Sequence, residues 1–270
     1  TYGCSWNQCA FCEMYTSKKF SVKKEEEIFS EIDTLKPYAQ HIRKVFLADG
    51  NAMVLSFQRL EKILDKLNNT LPKLQRVSAY VLPSDLSNKT DEELRNLFTK
   101  GLKILYVGIE SGDDDLLKRI NKRESRESMT RELLRAKAAG FKLSVMILNG
   151  LGGELYSRQH AANSAKIVNT IQPEYLSTLV LSFPFGVDHF RKKFKGEFIE
   201  LSVKGLIQEM DWFIADLELE QSIFRSDHAS NHLILKGNLN RDKQTMLDRI
   251  ALALNNPSLA DLRPDHLRSL

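Results

Sequence analysis

No cysteine occurs after residue 12 of this 270-residue chain; the three it has, Cys4, Cys9 and Cys12, share one short segment. An odd, tightly clustered set excludes the disulfide framework of a small secreted domain. No apolar run approaches the roughly 20 residues that span a bilayer, and no signal-peptide pattern opens the chain. Charge of one sign is also scarce: 39 basic residues against 35 acidic give +4, too mild to demand a nucleic-acid partner. Runs such as Lys23-Lys24-Glu25-Glu26-Glu27 mix the signs, as a solvated helix face does. Repeats, long linkers and low-complexity segments are lacking as well. What remains, with 42% hydrophobic and 27% charged residues, is an ordinary globular composition. Its length suits one barrel-like domain or two smaller ones. A lone cysteine cluster points to a metal in a reducing cytoplasm. The chain opens on Thr1, three residues before its strongest motif, so a first strand is expected upstream.

Beyond the cysteines, helical and extended patterns alternate. Residues 24–39 carry Ile28, Phe29, Ile32 and Leu35 at helical spacing, and Pro37 limits the end. Val45 to Ala48 reads as a buried strand followed by the turn Asp49-Gly50-Asn51. Leu55 to Leu67 is amphipathic, and Arg76 to Leu82 is a strand stopped by Pro83. Thr90 and Glu93 form a capping box for a helix that Gly101 ends. Further strands are expected over 104–109, 143–148 and 175–181. Further helices are expected over 113–122, 126–139, 158–171, 203–217 and 241–254, with an extended stretch between the last two. Apolar strands alternating with helices imply a parallel sheet covered by helices. The unusual residues follow the strands, where β/α barrels keep their active sites. A core over 1–200 with a C-terminal extension over 201–270 is the simplest division.

The segment Cys4-Ser5-Trp6-Asn7-Gln8-Cys9-Ala10-Phe11-Cys12 has the spacing C-x4-C-x2-C. Thiolates ligate iron–sulfur clusters, and tight spacing lets one loop wrap one cluster. A plant-type ferredoxin needs a fourth cysteine downstream, which this sequence lacks. Three thiolates on a four-iron cluster leave one iron open, as a catalytic rather than a structural site requires. A zinc ion held by the same cysteines and a distant histidine is the competing reading.

With Tyr2 and Gly3 before it and the aromatic Phe11 before the last cysteine, this loop resembles the cluster loop of the radical S-adenosylmethionine (SAM) superfamily. The common family spacing is C-x3-C-x2-C, one residue shorter. The resemblance extends over about residues 1–185. It implies a partial (β/α)6 TIM-like barrel in which a [4Fe-4S] cluster on Cys4, Cys9 and Cys12 binds SAM. Asp49, Gly50 and Asn51 stand where the family holds the SAM amino group, although they also suit a plain strand-to-helix turn. Residues 106–122 are similar to a segment of the Elp3, methylthiotransferase and oxygen-independent coproporphyrinogen oxidase branches. That similarity implies that Glu110, with Ser111 beside it, meets the ribose or methionine portion of SAM. It also implies that Lys122 pairs with the SAM carboxylate. Asp113 to Asp115 and Lys118 to Lys122 equally suit the two ends of a helix dipole. Residues 145–154 resemble the segment lining the adenine pocket, with Asn149 and Gly150 at the loop and Met146 where relatives place an acid. No G-x-G-x-x-G favours a Rossmann alternative.

Residues 224–243 are dense in His, Asn, Asp and Arg, and resemble an uncharacterised branch of the same superfamily. Arg225, His228, Asn231 and His232 are therefore candidates for the substrate side, on an expected loop. The resemblance implies an enzyme that cleaves SAM reductively to a 5′-deoxyadenosyl radical, with an electron donor such as flavodoxin or ferredoxin. The substrate is unread. The rival classes are a non-catalytic zinc or iron–sulfur module and an RNA-binding or RNA-modifying protein. The latter is suggested by the pI near 8.8 and predicts steeply salt-dependent binding.

Overall fold

The computed structural model describes residues 1–268. Its strands grow from the apolar runs: β1 (Lys44–Leu47), β2 (Arg76–Val81), β3 (Leu102–Glu110), β4 (Lys142–Asn149) and β5 (Tyr175–Val180). The extended stretch supplies two more, β6 (Ile223–Ser226) and β7 (Leu235–Asn238). The seven lie in one sheet in sequence order, so the sheet is open, with β1 and β7 at its edges. Neighbours β1–β2, β2–β3, β4–β5 and β5–β6 are parallel, and β6–β7 is antiparallel. The α/β class expected from the alternation is therefore present. Arg225, expected on a loop, lies on β6 instead; its neighbours Phe224 and Ser226 are buried while it is exposed, as strand alternation requires.

The helices are α1 (Glu25–Asp33), α2 (Phe57–Thr70), α3 (Pro83–Leu86), α4 (Asp91–Thr99), α5 (Asp114–Arg119), α6 (Arg126–Ala138), α7 (Gly153–Ile171), α8 (Val187–Lys193), α9 (Val203–Ala215) and α10 (Leu239–Asn255). The helix expected over 24–39 stops at Asp33, and Pro37 sits in a separate 3-10 turn, Lys36–Tyr38. Helix α7 starts at Gly153, five residues earlier than its apolar pattern suggests. The capping box forms as expected: Thr90 N–H donates to Glu93 Oε2 at 2.9 Å and Glu93 N–H to Thr90 Oγ1 at 3.1 Å.

Two compact units divide the chain. One contains Thr1–Asn7, Met14–Val107 and Arg131–Leu143; the other contains Gln8–Glu13, Gly108–Thr130 and the chain from Ser144 onward. In the first, Leu60, Leu64 and Leu67 of α2 are buried along with Leu94 and Leu97 of α4 and Val77 and Ala79 of β2. In the second, Phe183, Phe190, Phe194 and Phe198 form an aromatic cluster, with the Phe190 and Phe198 rings 4.7 Å apart. Such edge-to-face pairs add to the apolar burial that holds loops in place.

Candidate functional site

The turn after β1 is fastened to the chain on either side of Cys4. Gly3 N–H donates to Asp49 Oδ2 at 3.1 Å, and Ser5 N–H to Asn51 Oδ1 at 3.0 Å. Asn51 is buried and uses its amide nitrogen on Ser5 Oγ at 2.9 Å and Asp85 Oδ2 at 2.5 Å. Gly50 N–H donates to the Tyr15 hydroxyl at 2.9 Å. Gly50 has a left-handed φ of 53°. A Cβ there would overlap the Gly3 carbonyl oxygen and lie 2.9 Å from Cys4 Cα. Only glycine lets the turn approach that closely. Of the three residues expected at the SAM amino group, Asp49 and Asn51 thus hold the backbone on either side of Cys4, and Gly50 lets the turn approach it.

The other two cysteines are held from the end of α5. Ala10 N–H donates to Ile120 O at 2.8 Å, and Asn121 Nδ2 to Gln8 O at 3.1 Å. Cys12 N–H closes the turn on Cys9 O at 3.2 Å. All three cysteines are half-buried thiols, and Phe11 is half-buried too. Among the described residues, no three His, Cys, Asp or Glu side chains gather about one point where a single metal ion could sit.

At the end of β3, Glu110 adopts a left-handed φ of 66°. Its carboxylate folds back over Gly108, where a Cβ would overlap Glu110 Oε1. Lys122 Nζ faces it at 3.8 Å, and both residues are 8% exposed. The two residues expected on opposite groups of SAM therefore stand against each other. Burial pushes the Glu110 carboxyl above its ordinary range, and the Lys122 ammonium opposes that rise. Ser111 is fully buried, and its hydroxyl engages His160 Nδ1 at 2.8 Å while accepting Asp113 N–H at 3.0 Å. Asp113 caps α5 through Leu116 N–H at 2.8 Å and accepts Asn163 Nδ2 at 2.6 Å.

After β4, Asn149 Nδ2 donates to Leu206 O at 3.2 Å. Gly150 N–H donates to Glu209 Oε1 at 2.6 Å, and the Ser157 hydroxyl to Glu209 Oε2 at 2.6 Å. Burial pushes the Glu209 carboxyl up, while His160, the Gly150 N–H and the Ser157 hydroxyl pull it down. His160 and Glu209 were not singled out from sequence. The available signal was helical spacing, which sets Glu209 on the same face as Leu206, Met210 and Phe213, since a buried acid is rare without partners.

The four C-terminal candidates separate. Arg225 and His228 are exposed, and His228 Nδ1 accepts Ser230 N–H at 3.1 Å. Asn231 and His232 are buried. His232 lines a cavity of about 250 Å³ together with Gly150, Leu181, Phe183, Phe198 and Arg268. A neighbouring chamber of about 20 Å³ is lined by Asn149, Ser226, Asn231 and again His232. Asn231 Nδ2 donates to Thr178 O at 2.9 Å. That leaves Asn149 Oδ1, Ser226 Oγ and Asn231 Oδ1 buried without a hydrogen-bond partner among the described residues. The chamber is large enough for one water.

The chain matches the family model described as "Radical SAM superfamily" over residues 1–164. It is 26% identical over 126 residues to the heme chaperone HemW of Bacillus subtilis (strain 168), covering 46% of this chain and 33% of that protein. Its fold resembles the coproporphyrinogen III oxidase HemN of Escherichia coli, a radical SAM enzyme. That match has a TM-score of 0.61 at 18% identity, over 79% of this chain and 50% of that one. It also resembles Elp3 of Methanocaldococcus infernus, with a TM-score of 0.51 at 15% identity, over 87% of this chain and 59% of that one. The chain thus spans a third of the HemW and half of the HemN it matches. The family model matches more than half of the chain, and the chain belongs to the radical SAM superfamily.

Proposed function

We propose that this enzyme holds a [4Fe-4S] cluster on Cys4, Cys9 and Cys12, binds SAM at the ends of β3 and β4, and abstracts hydrogen from its substrate. The observation carrying this reading is three half-buried thiols in one short loop whose backbone is fastened on both sides of its cysteines. That donor set suits an iron–sulfur cluster, which Cys thiolates hold. Cys4, Cys9 and Cys12 would hold the cluster, which when bound would supply the chemistry of reductive SAM cleavage and hydrogen abstraction.

The protein's own residues bind and orient. Asp49, Gly50 and Asn51 hold the strand of chain that presents Cys4, and Phe11 shields the loop beside Cys12. Glu110 accepts hydroxyl hydrogens of SAM, and Lys122 turns its ammonium to the methionine carboxylate. Ser111 keeps the end of β3 in register through His160. Asn149 and Gly150 give the nucleoside a backbone it can approach closely. His232 contributes to the substrate side through the cavity beside Gly150, and Asn231 lines the small chamber next to it. Positioning of this kind supplies much of a barrier reduction that the cofactor's chemistry does not. A reduced flavodoxin or ferredoxin of the cytoplasm would deliver the electron.

A heme-related role is the second reading, favoured by the similarity to a heme chaperone. Titration with hemin, followed by absorbance, separates it. The main reading is tested by anaerobic reconstitution. The protein should bind about four irons per chain and form 5′-deoxyadenosine with dithionite and SAM. Replacing any of the three cysteines by alanine should abolish both. An intact cluster that yields no 5′-deoxyadenosine refutes the reading.

A further inference from the structure

The loops that follow β3 and β4 are tied together by buried side chains of α7 and α9. Glu209 lies on the buried face of α9 among Leu206, Ile207, Met210 and Phe213, and is 2% exposed. Desolvating a carboxylate costs several kcal/mol unless its oxygens are hydrogen-bonded. Here both are: Oε1 accepts the Gly150 N–H and Oε2 the Ser157 hydroxyl, each at 2.6 Å. His160 Nε2 lies 3.8 Å from Glu209 Oε1 and 3.2 Å from Leu148 O. A carbonyl only accepts, so Nε2 carries the hydrogen in that bond, while Nδ1 engages the Ser111 hydroxyl. Leu148 and Gly150 flank Asn149, so His160 and Glu209 grip the end of β4 on both sides of that residue. His160 joins the same grip to Ser111 after β3. A leucine at 209 would fill the core equally well but leave the Gly150 N–H without its acceptor.

We propose that Glu209 is a positioning residue for S-adenosylmethionine: its hydrogen bond to Gly150 fixes the loop after β4, and His160 locks that loop to Ser111. This rests on the SAM reading given above. Glu209 acts through the Gly150 amide, and the property required of it is an acceptor at that distance rather than a charge.

Two conservative variants of the reconstituted, reduced protein test this. Glu209→Asp withdraws the carboxylate by one methylene, so it cannot reach Gly150 and Ser157 together. Glu209→Gln keeps an acceptor for Gly150 and offers its NH2 to Ser157 Oγ. The readouts are iron content, melting temperature, and the SAM concentration that half-converts the electron paramagnetic resonance spectrum of the reduced cluster. Iron content should be unchanged in both variants. The Asp variant should need about tenfold more SAM, and the Gln variant should stay within about twofold of the parent. Exchange of the Gly150 amide should quicken only in the Asp variant. An Asp variant that responds to SAM like the parent overturns the proposal. So does weakening in both variants that merely tracks a lowered melting temperature, since that marks an ordinary core residue. A parent protein whose cluster spectrum ignores SAM overturns the SAM reading and this inference together. A parent response that the Asp variant retains overturns this inference alone.

Discussion

Replacing Gly50 by alanine should empty the cluster loop while leaving the fold standing. Two costs arise. The first is conformational: an L-residue with φ near 53° costs about 1–2 kcal/mol. The second is steric. The new Cβ would lie 2.5 Å from the Gly3 carbonyl carbon and 2.9 Å from Cys4 Cα, against the roughly 3.5–4.0 Å of an ordinary carbon contact. Both neighbours are backbone, so no side chain can swing aside, and overpacking of this kind costs about 1–3 kcal/mol. The sum, about 2–5 kcal/mol, exceeds what the two hydrogen bonds flanking Cys4 can resist at about 1 kcal/mol each. It is still smaller than the typical stability of a domain, roughly 5–15 kcal/mol. The clasp should therefore give way first, carrying Cys4 out of place by about an ångström. Gly186 provides the control. It has a φ of 85°, with nothing within 4 Å of a built Cβ, so Gly186→Ala incurs only the first cost. The assay is iron per chain after anaerobic reconstitution, with thermal melting alongside. Gly186→Ala should keep its iron; Gly50→Ala should lose most of it while still melting cooperatively. A Gly50→Ala protein with a full complement of iron would refute the reasoning.

Lys122→Met strips the cation from the buried Glu110 carboxylate and should destabilise by about 3–5 kcal/mol. Burial raises the folded pKa of Glu110, so the folded state holds that proton at a pH where the unfolded chain has released it. Stability must then fall as pH rises above the unfolded value of about 4.3, and more steeply once Lys122 is gone. Urea midpoints followed upward from about pH 4.3 measure this; equal slopes for variant and parent would contradict it. Ser226→Ala removes a buried hydroxyl that has no partner among the described residues. It should leave the melting temperature unchanged or raise it, relieving about 1 kcal/mol of desolvation. A clear drop would show that an ordered water occupies the chamber and bonds the hydroxyl.

Local signals were readable in the sequence wherever the residues that matter are near neighbours. The capping box of Thr90 and Glu93, the apolar cores of β3 and β4, and the cysteine spacing are all of this kind. The extended stretch before α10 is legible, but its division into β6 and β7 is not, because Arg225, Lys236 and Asn238 interrupt any apolar run and the pairing is decided across the hairpin. The clasp on Cys4 joins residues 46 apart in sequence, so Asp49 and Asn51 read equally well as cofactor contacts or turn formers. Glu110 and Lys122 show the same limit. Each reads from sequence as a partner for a ligand, and the pairing of one with the other at 3.8 Å, beside a left-handed backbone at Glu110, is a tertiary feature. Glu209 was hidden for a different reason: helical periodicity places it on an apolar face, where its meaning depends on a backbone amide 59 residues away.

The pairing of Asn149 with Gly150 has a consequence for how the protein ages. In a loose chain, Asn-Gly is the dipeptide most prone to deamidation, because the glycine nitrogen can attack the asparagine side-chain carbonyl and close a succinimide. Here that nitrogen is committed to Glu209 and the asparagine amide to Leu206 O, so the ring cannot close while the fold is intact. Only unfolded molecules are open to such modification. Succinimide and isoaspartate at this one position would accordingly build up as a chemical record of the time each molecule has spent unfolded.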